Sequence, residues 1–130
     1  METYHIFKVK KETYNTYKNN PKSLYKTLYN LYNISKQDLK LGLSIYNEIC
    51  YIINTKKLKE YITLLPITRN VKNKYLINKN AIILKPSNIT LKYNNINKDI
   101  IYVLNNYYKY LFVCNFKTNE FYWLNELYLK

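Results

Sequence analysis

Glycine, alanine and arginine are almost missing from this chain. Gly42, Ala81 and Arg69 each stand alone, as do His5 and Trp123. A single glycine excludes a glycine-rich phosphate loop, which needs several positions without a Cβ. A single histidine excludes a two-histidine metal site. The two cysteines, Cys50 and Cys114, lack close ligand spacing, and a zinc site wants four ligands. Both sit among apolar neighbours and read as reduced core residues. Either could be drawn as a nucleophile with His5 as its base, but nothing places them together. His5 lies in an expected strand and reads as a structural or surface residue. The carboxylates Glu2, Glu12, Asp38, Glu48, Glu60, Asp99, Glu120 and Glu126 are scattered and suit helix starts or solvent. No enzymatic activity, cofactor, metal or small-molecule substrate is expected. Long apolar runs are missing too, so no membrane span is expected, and the first residues do not read as a signal peptide. The expected location is cytoplasmic.

The 130 residues fit a single domain, and 48% of them are hydrophobic. A domain of this size buries roughly two-thirds of its unfolded surface, enough for a core without staples. That core has to be built from Ile, Leu and Tyr. Seventeen tyrosines are present, and a buried Tyr hydroxyl wants a partner, so many should lie half-buried with the oxygen in water. The net charge of +13 favours anionic partners. Lys, Asn, Ile and Tyr dominate together, as an AT-rich coding sequence produces, so coding bias competes with function as the source of the charge. Arginine suits bidentate contacts to phosphate and guanine, and Arg69 alone does not make a sequence reader.

Alternation predicts a strand over Thr3 to Val9, with Tyr4 and Ile6 on one face and His5, Phe7 and Val9 on the other. Lys10 to Lys18 turns helical. Asn20-Pro21 looks like an N-cap followed by proline at the first helical position. Leu24, Leu28 and Leu31 then form a stripe. Ser35 is placed to cap a further helix in which Leu39, Leu43 and Tyr46 continue the apolar face. Glu48 to Ile53 fits a helix extension or a strand, and its β-branched and aromatic residues favour the strand. Thr55 is read as the cap of a helix over Lys56 to Leu65, which Pro66 ends. Strands follow at Tyr75 to Ile77, Ala81 to Leu84 and Ile89 to Tyr93, separated by Asn78-Lys79-Asn80 and Pro86-Ser87-Asn88. Asn97 caps a helix carrying Ile100, Ile101, Val103, Leu104 and Tyr107. Leu111 to Phe116 and Phe121 to Leu124 are strands around a polar hairpin loop. The pattern predicts an α+β domain: a mainly antiparallel sheet with several helices packed against it.

Tyrosines and lysines interleave through Tyr102, Tyr107, Tyr108, Lys109, Tyr110 and Phe112. Strand aromatics stack bases while lysines follow phosphates, so a basic single-stranded nucleic-acid binder is one reading. The competing reading makes these aromatics the core of a tyrosine-rich protein. No RRM-like motif, KH-type GxxG loop or zinc finger is present.

The C-terminal run from Tyr110 to Asn125 is an apolar strand, an Asn115-Phe116 pair, a polar turn, an aromatic and Trp123-Leu124-Asn125. It resembles the end of the sporulation inhibitor of replication proteins, the SirA family. Tyr4 to Glu12 with Tyr14, Asn15 and Tyr17 is similar to that family's opening strand and first helix. Leu31-Tyr32, Ile49, Tyr51 and Ile52 fall in similar order between them. The resemblance covers nearly the whole chain, 1–130, with the middle matching in pattern alone. It implies a non-enzymatic inhibitor of chromosome replication initiation that binds the N-terminal domain of the initiator DnaA. By position, Tyr14 and Tyr17 would lie on the partner-binding face, Glu48 and Tyr51 would border it, and Asn125 and Glu126 would be at its rim. Thr13 stands where the family has an aromatic, and Glu126 where proline follows Trp-Leu-Asn. Tyr14 and Tyr17, three apart on a helix, would serve equally as core.

Overall fold

A computed structural model describes residues 1–94 and 97–128. Strand β1, Glu2–Lys8, runs through the middle of one sheet and is hydrogen-bonded on both sides. On one flank lie β2 (Arg69–Val71), β3 (Lys74–Ile77), β4 (Asn80–Leu84) and β5 (Ile89–Tyr93). On the other lie β6 (Leu111–Asn115) and β7 (Glu120–Trp123). The order among the described residues is β2-β3-β4-β5-β1-β6-β7, and every neighbouring pair is antiparallel. The expected α+β class, a sheet with helices packed on it in one domain, is what forms.

Helices cover both faces. Alternation along the strands sends Tyr4, Ile6, Ile82, Ile89, Leu91, Leu111 and Val113 into one core. That core is closed by α4 (Thr55–Ile62), α5 (Lys98–Tyr107) and α6 (Leu124–Tyr128). The opposite face sends Phe7, Val9, Phe112, Cys114 and Trp123 into a second core, closed by Leu24, Tyr25 and Leu28. These three come from α2, Pro21–Tyr32, which follows the short α1, Lys11–Tyr17. With both faces covered, β6 reads as the unbroken apolar run Leu111 to Cys114, every residue of it buried.

Several local expectations need correction. Glu48 to Ile53 is not a strand. Helix α3, Leu39–Ile49, continues through Glu48 and Ile49, and Cys50 makes an isolated bridge to Val9. Residues 51–54 run on as irregular chain, with Tyr51 N–H donating to Lys8 and Ile53 N–H to Pro86. Two backbone anchors satisfy this segment, so its β-prone side chains never form a ladder. Ser35 does not cap α3 directly. It precedes a 3-10 turn, Lys36–Asp38, and its hydroxyl donates to the Asp38 carboxylate at 3.0 Å. Asn20 makes no capping bond either, its amide donating to Ser23 Oγ. At α4 the cap is Asn54, accepting from Lys57 N–H at 3.2 Å, so Thr55 is the first helical residue. Asn97 caps α5 as expected, accepting from Ile100 N–H at 2.9 Å. β2 had no clear pattern. Leu124 begins α6 where the sequence suggested a strand end.

Candidate partner-binding surface

α3 presents the most unusual surface. Its sequence is largely apolar, yet Gly42 is its one fully buried residue. Leu39, Leu41 and Leu43 are 52%, 62% and 56% exposed, and Ile52 just beyond the helix is 64% exposed. The expected core face of Leu39 and Leu43 therefore points outward. Gly42 takes the inward position because α3 runs close to the end of α2. A Cβ there would come within 2.7 Å of Ile34 Cδ1. Leu39, Leu43, Ile52, Leu31, Ile34 and Pro86 line a groove of about 280 Å³. Tyr46 anchors the helix beside it, its hydroxyl donating to the Ser87 carbonyl.

Tyr51 continues this surface into a strip of tyrosines. Its ring meets Tyr108 edge-on at 6.4 Å, Tyr108 meets Tyr110 at 5.9 Å, and Tyr110 meets Tyr14 at 4.5 Å. The strip crosses the end of the sheet where β1 stops and β6 starts, which is why residues distant in sequence converge. Tyr108 is fixed by its hydroxyl, which donates to the Val9 carbonyl at 2.8 Å. Burial pushes that phenol up to about 12.

Cations lie over the rings. Lys8 Nζ is 5.1 Å from the centroids of Tyr107 and Tyr108 and 5.9 Å from that of Tyr51. Lys10 Nζ is 5.5 Å from Tyr51, and Lys109 Nζ is 5.5 Å from Tyr110. Contacts of this kind are worth about 0.5–1 kcal/mol each at exposed sites. Burial holds the Lys8 ammonium below its ordinary pKa, Lys57 adds to the shift and Tyr51 opposes it.

Tyr14 and Tyr51 thus belong to one surface, joined by Tyr108 and Tyr110. Tyr17 is half-buried at the rim of the second core. Glu48 is exposed in the last turn of α3, next to Ile49, whose carbonyl accepts from Lys10 N–H at 3.0 Å. Asn125 and Glu126 lie in α6, which starts directly after Trp123 and packs against α5. The Asn125 side-chain Oδ1 is buried without a hydrogen-bond partner among the described residues, and Glu126 is exposed. The outward leucines of α3 escaped the sequence reading, because periodicity finds an apolar face without saying whether a neighbour covers it. Tyr108 and Tyr110 were visible in the tyrosine–lysine run. Phe112, from the same run, is fully buried and has no face for a base.

His5 is buried and structural in its bonding. Its Nδ1 lies 3.1 Å from Asn88 Oδ1, which also accepts from the Thr90 hydroxyl at 2.9 Å. An oxygen partner places the proton of the neutral ring on Nδ1. Burial pushes the Cys50 thiol up to about 12 and raises that of Cys114 as well, so neither is an activated nucleophile. Among the described residues no three His, Cys, Asp or Glu side chains converge as metal ligands, and no helix is long and apolar enough to cross a membrane. No protein-family model matches the chain, and no curated protein matches it.

Proposed function

We propose that this chain is a non-enzymatic binding protein that docks on another protein through α3, Ile52 and the tyrosine strip. The observation that carries this reading is the run of large side chains left exposed in one place: Leu39, Leu43, Ile52 and Tyr51. Contiguous exposed apolar surface rimmed by polar groups marks interaction sites. Exposed tyrosines add contact area at low entropic cost, and a few such anchors carry most of an interface's energy. Lys8, Lys10 and Lys109 would steer an acidic partner onto the surface and raise the on-rate more than the affinity.

The partner to test first is the N-terminal domain of the initiator DnaA, and the effect to test is inhibition of replication initiation. Support for that identity comes from the resemblance in the β6–β7 hairpin and the β1–α1 segment. Support for the mode comes from the surface. The experiment is calorimetric titration of the purified chain with the isolated domain. Complex formation is expected, with Tyr51→Ala weakening it by more than about 1 kcal/mol. No association with that domain removes DnaA as the partner. No protein captured from the native cytoplasm, or turnover of a substrate by the chain alone, removes the binding-protein reading.

A further inference from the structure

A second concave site lies at the other end of β6 and β7. The strip crosses their end near Tyr110 and Trp123, whereas this cleft sits by the hairpin turn at Asn119. The five residues of β6 separate the two by about 15 Å at the usual rise of a strand. The cleft has a volume of about 470 Å³, within the range of small-molecule sites. Tyr25, Tyr29 and Phe121 form its aromatic wall, and Lys22, Lys26 and Asn119 bring polar groups to it.

Ring contacts and one hydrogen bond order the wall. Tyr25 and Phe121 stack at 4.9 Å with 22° between their planes, and Tyr29 stands 6.1 Å from Tyr25. Tyr29 is 40% exposed, held against Tyr25 and edge-on to Phe116 at 5.9 Å, and lines the cleft. The Tyr25 hydroxyl donates to Asn119 Oδ1 at 2.8 Å, which leaves the Asn119 amide N–H groups as the donors to anything bound. Lys22 and Lys26 are four apart on α2, so both ammonium groups rise from one helix face. Like charges in that arrangement repel, and no carboxylate lines the cleft to offset them. Glu120, the nearest acid in the hairpin, accepts from the Thr118 hydroxyl at 2.9 Å and is not part of the lining.

We propose that this cleft binds a nucleotide unit. The base stacks on Tyr29 beside the Tyr25–Phe121 pair, the phosphate lies between Lys22 and Lys26, and the Asn119 amide donates to an acceptor on the base edge. Every base has a π-face, so stacking tolerates any base, and the lysines supply the counter-charge. The unit comes either as a free mononucleotide or within a single strand. The cleft stands apart from the tyrosine strip, shares no lining residue with the α3 groove, and does not depend on the docking reading.

The test is a titration of the full chain, followed by backbone amide NMR shifts, with adenosine monophosphate, uridine monophosphate, adenosine, inorganic phosphate and a short oligothymidylate. Both monophosphates are expected to bind, to shift the amides of 22–30 and 119–121, and to bind about tenfold more tightly than adenosine or phosphate alone. Tyr29→Ala and the Lys22→Glu/Lys26→Glu pair should each weaken binding about tenfold. Binding by the oligonucleotide alone, weakened by the same variants, identifies a strand as the source. Binding of neither, or binding that both variants leave intact, overturns the site. The Lys22→Glu/Lys26→Glu variant should keep the affinity for the protein partner, which separates failure here from failure of the docking surface.

Discussion

Tyr14 stands edge-on to Trp123, with ring centroids 4.7 Å apart and planes at 76°. Trp123 is buried, while Tyr14 is half-buried and also touches Tyr110. One side of the Tyr14 ring is therefore core and the other is surface. Tyr14→Ala removes both ring contacts and part of the cover over Trp123. The expected loss is about 2 kcal/mol, from aromatic pairing and lost apolar burial together. Urea unfolding followed by Trp123 fluorescence checks it. Tyr14→Phe should leave the midpoint where it is. Tyr17→Ala, which strips a half-buried ring from the rim of the same cluster, should lower stability as well, by about 1 kcal/mol.

The α3 leucines allow the opposite dissociation of stability from binding. Leu and Gln have nearly equal helix propensity, and these side chains bury little. Leu39→Gln with Leu43→Gln should change stability by no more than about 0.5 kcal/mol. Partner capture should fall at least tenfold, about 1.4 kcal/mol. A thermal melt and a binding isotherm on the double variant decide it. Unchanged binding would take α3 out of the interface.

His5 makes stability depend on acid. Burial holds its pKa below the ordinary histidine value, the bond to Asn88 opposes that shift, and Lys85 adds to it. The unfolded ring titrates near pH ~6.5. Between that value and the lower folded one, the unfolded state holds more protons, so stability falls as pH falls. The contribution is complete above pH ~6.5, declines below it, and levels off once the folded ring also protonates. His5→Asn removes the titration while keeping an amide close to Asn88. Its unfolding free energy should lose this slope below pH ~6.5.

Much of the fold can be read from the chain. The alternation in β1, the apolar run of β6, Asn97 at the start of α5 and Pro21 at the start of α2 all carry local signals that the structure keeps. Glu48 to Ile53 misleads because Ile49, Tyr51, Ile52 and Ile53 have strand-like side chains. Their backbone groups are instead taken by the α3 helix, by Lys8 and by Pro86. The surface was half legible. The family resemblance points to Tyr14 and Tyr51, but their connection through Tyr108 and Tyr110 exists only once β6 is laid beside β1. Asn125 and Glu126 follow Trp123 into α6, whose Leu124 and Leu127 pack on the first core, as does Tyr108 of the strip.

A chain with a single glycine has to reverse direction using other residues. Lys72, Asn78 and Asn119 adopt positive φ values of 55°, 58° and 62°, whereas Gly42 is helical. Asparagine tolerates this region through its short polar side chain, and lysine does not share that tolerance. The bend between β2 and β3 at Lys72 is thus a built-in reserve of unused stability. Lys72→Gly should release about 1 kcal/mol of steric opposition, seen as a higher midpoint in thermal unfolding. Of the three turns closed without glycine, the one at Lys72 holds a residue its backbone does not suit, and it is the first place to engineer a hardier form.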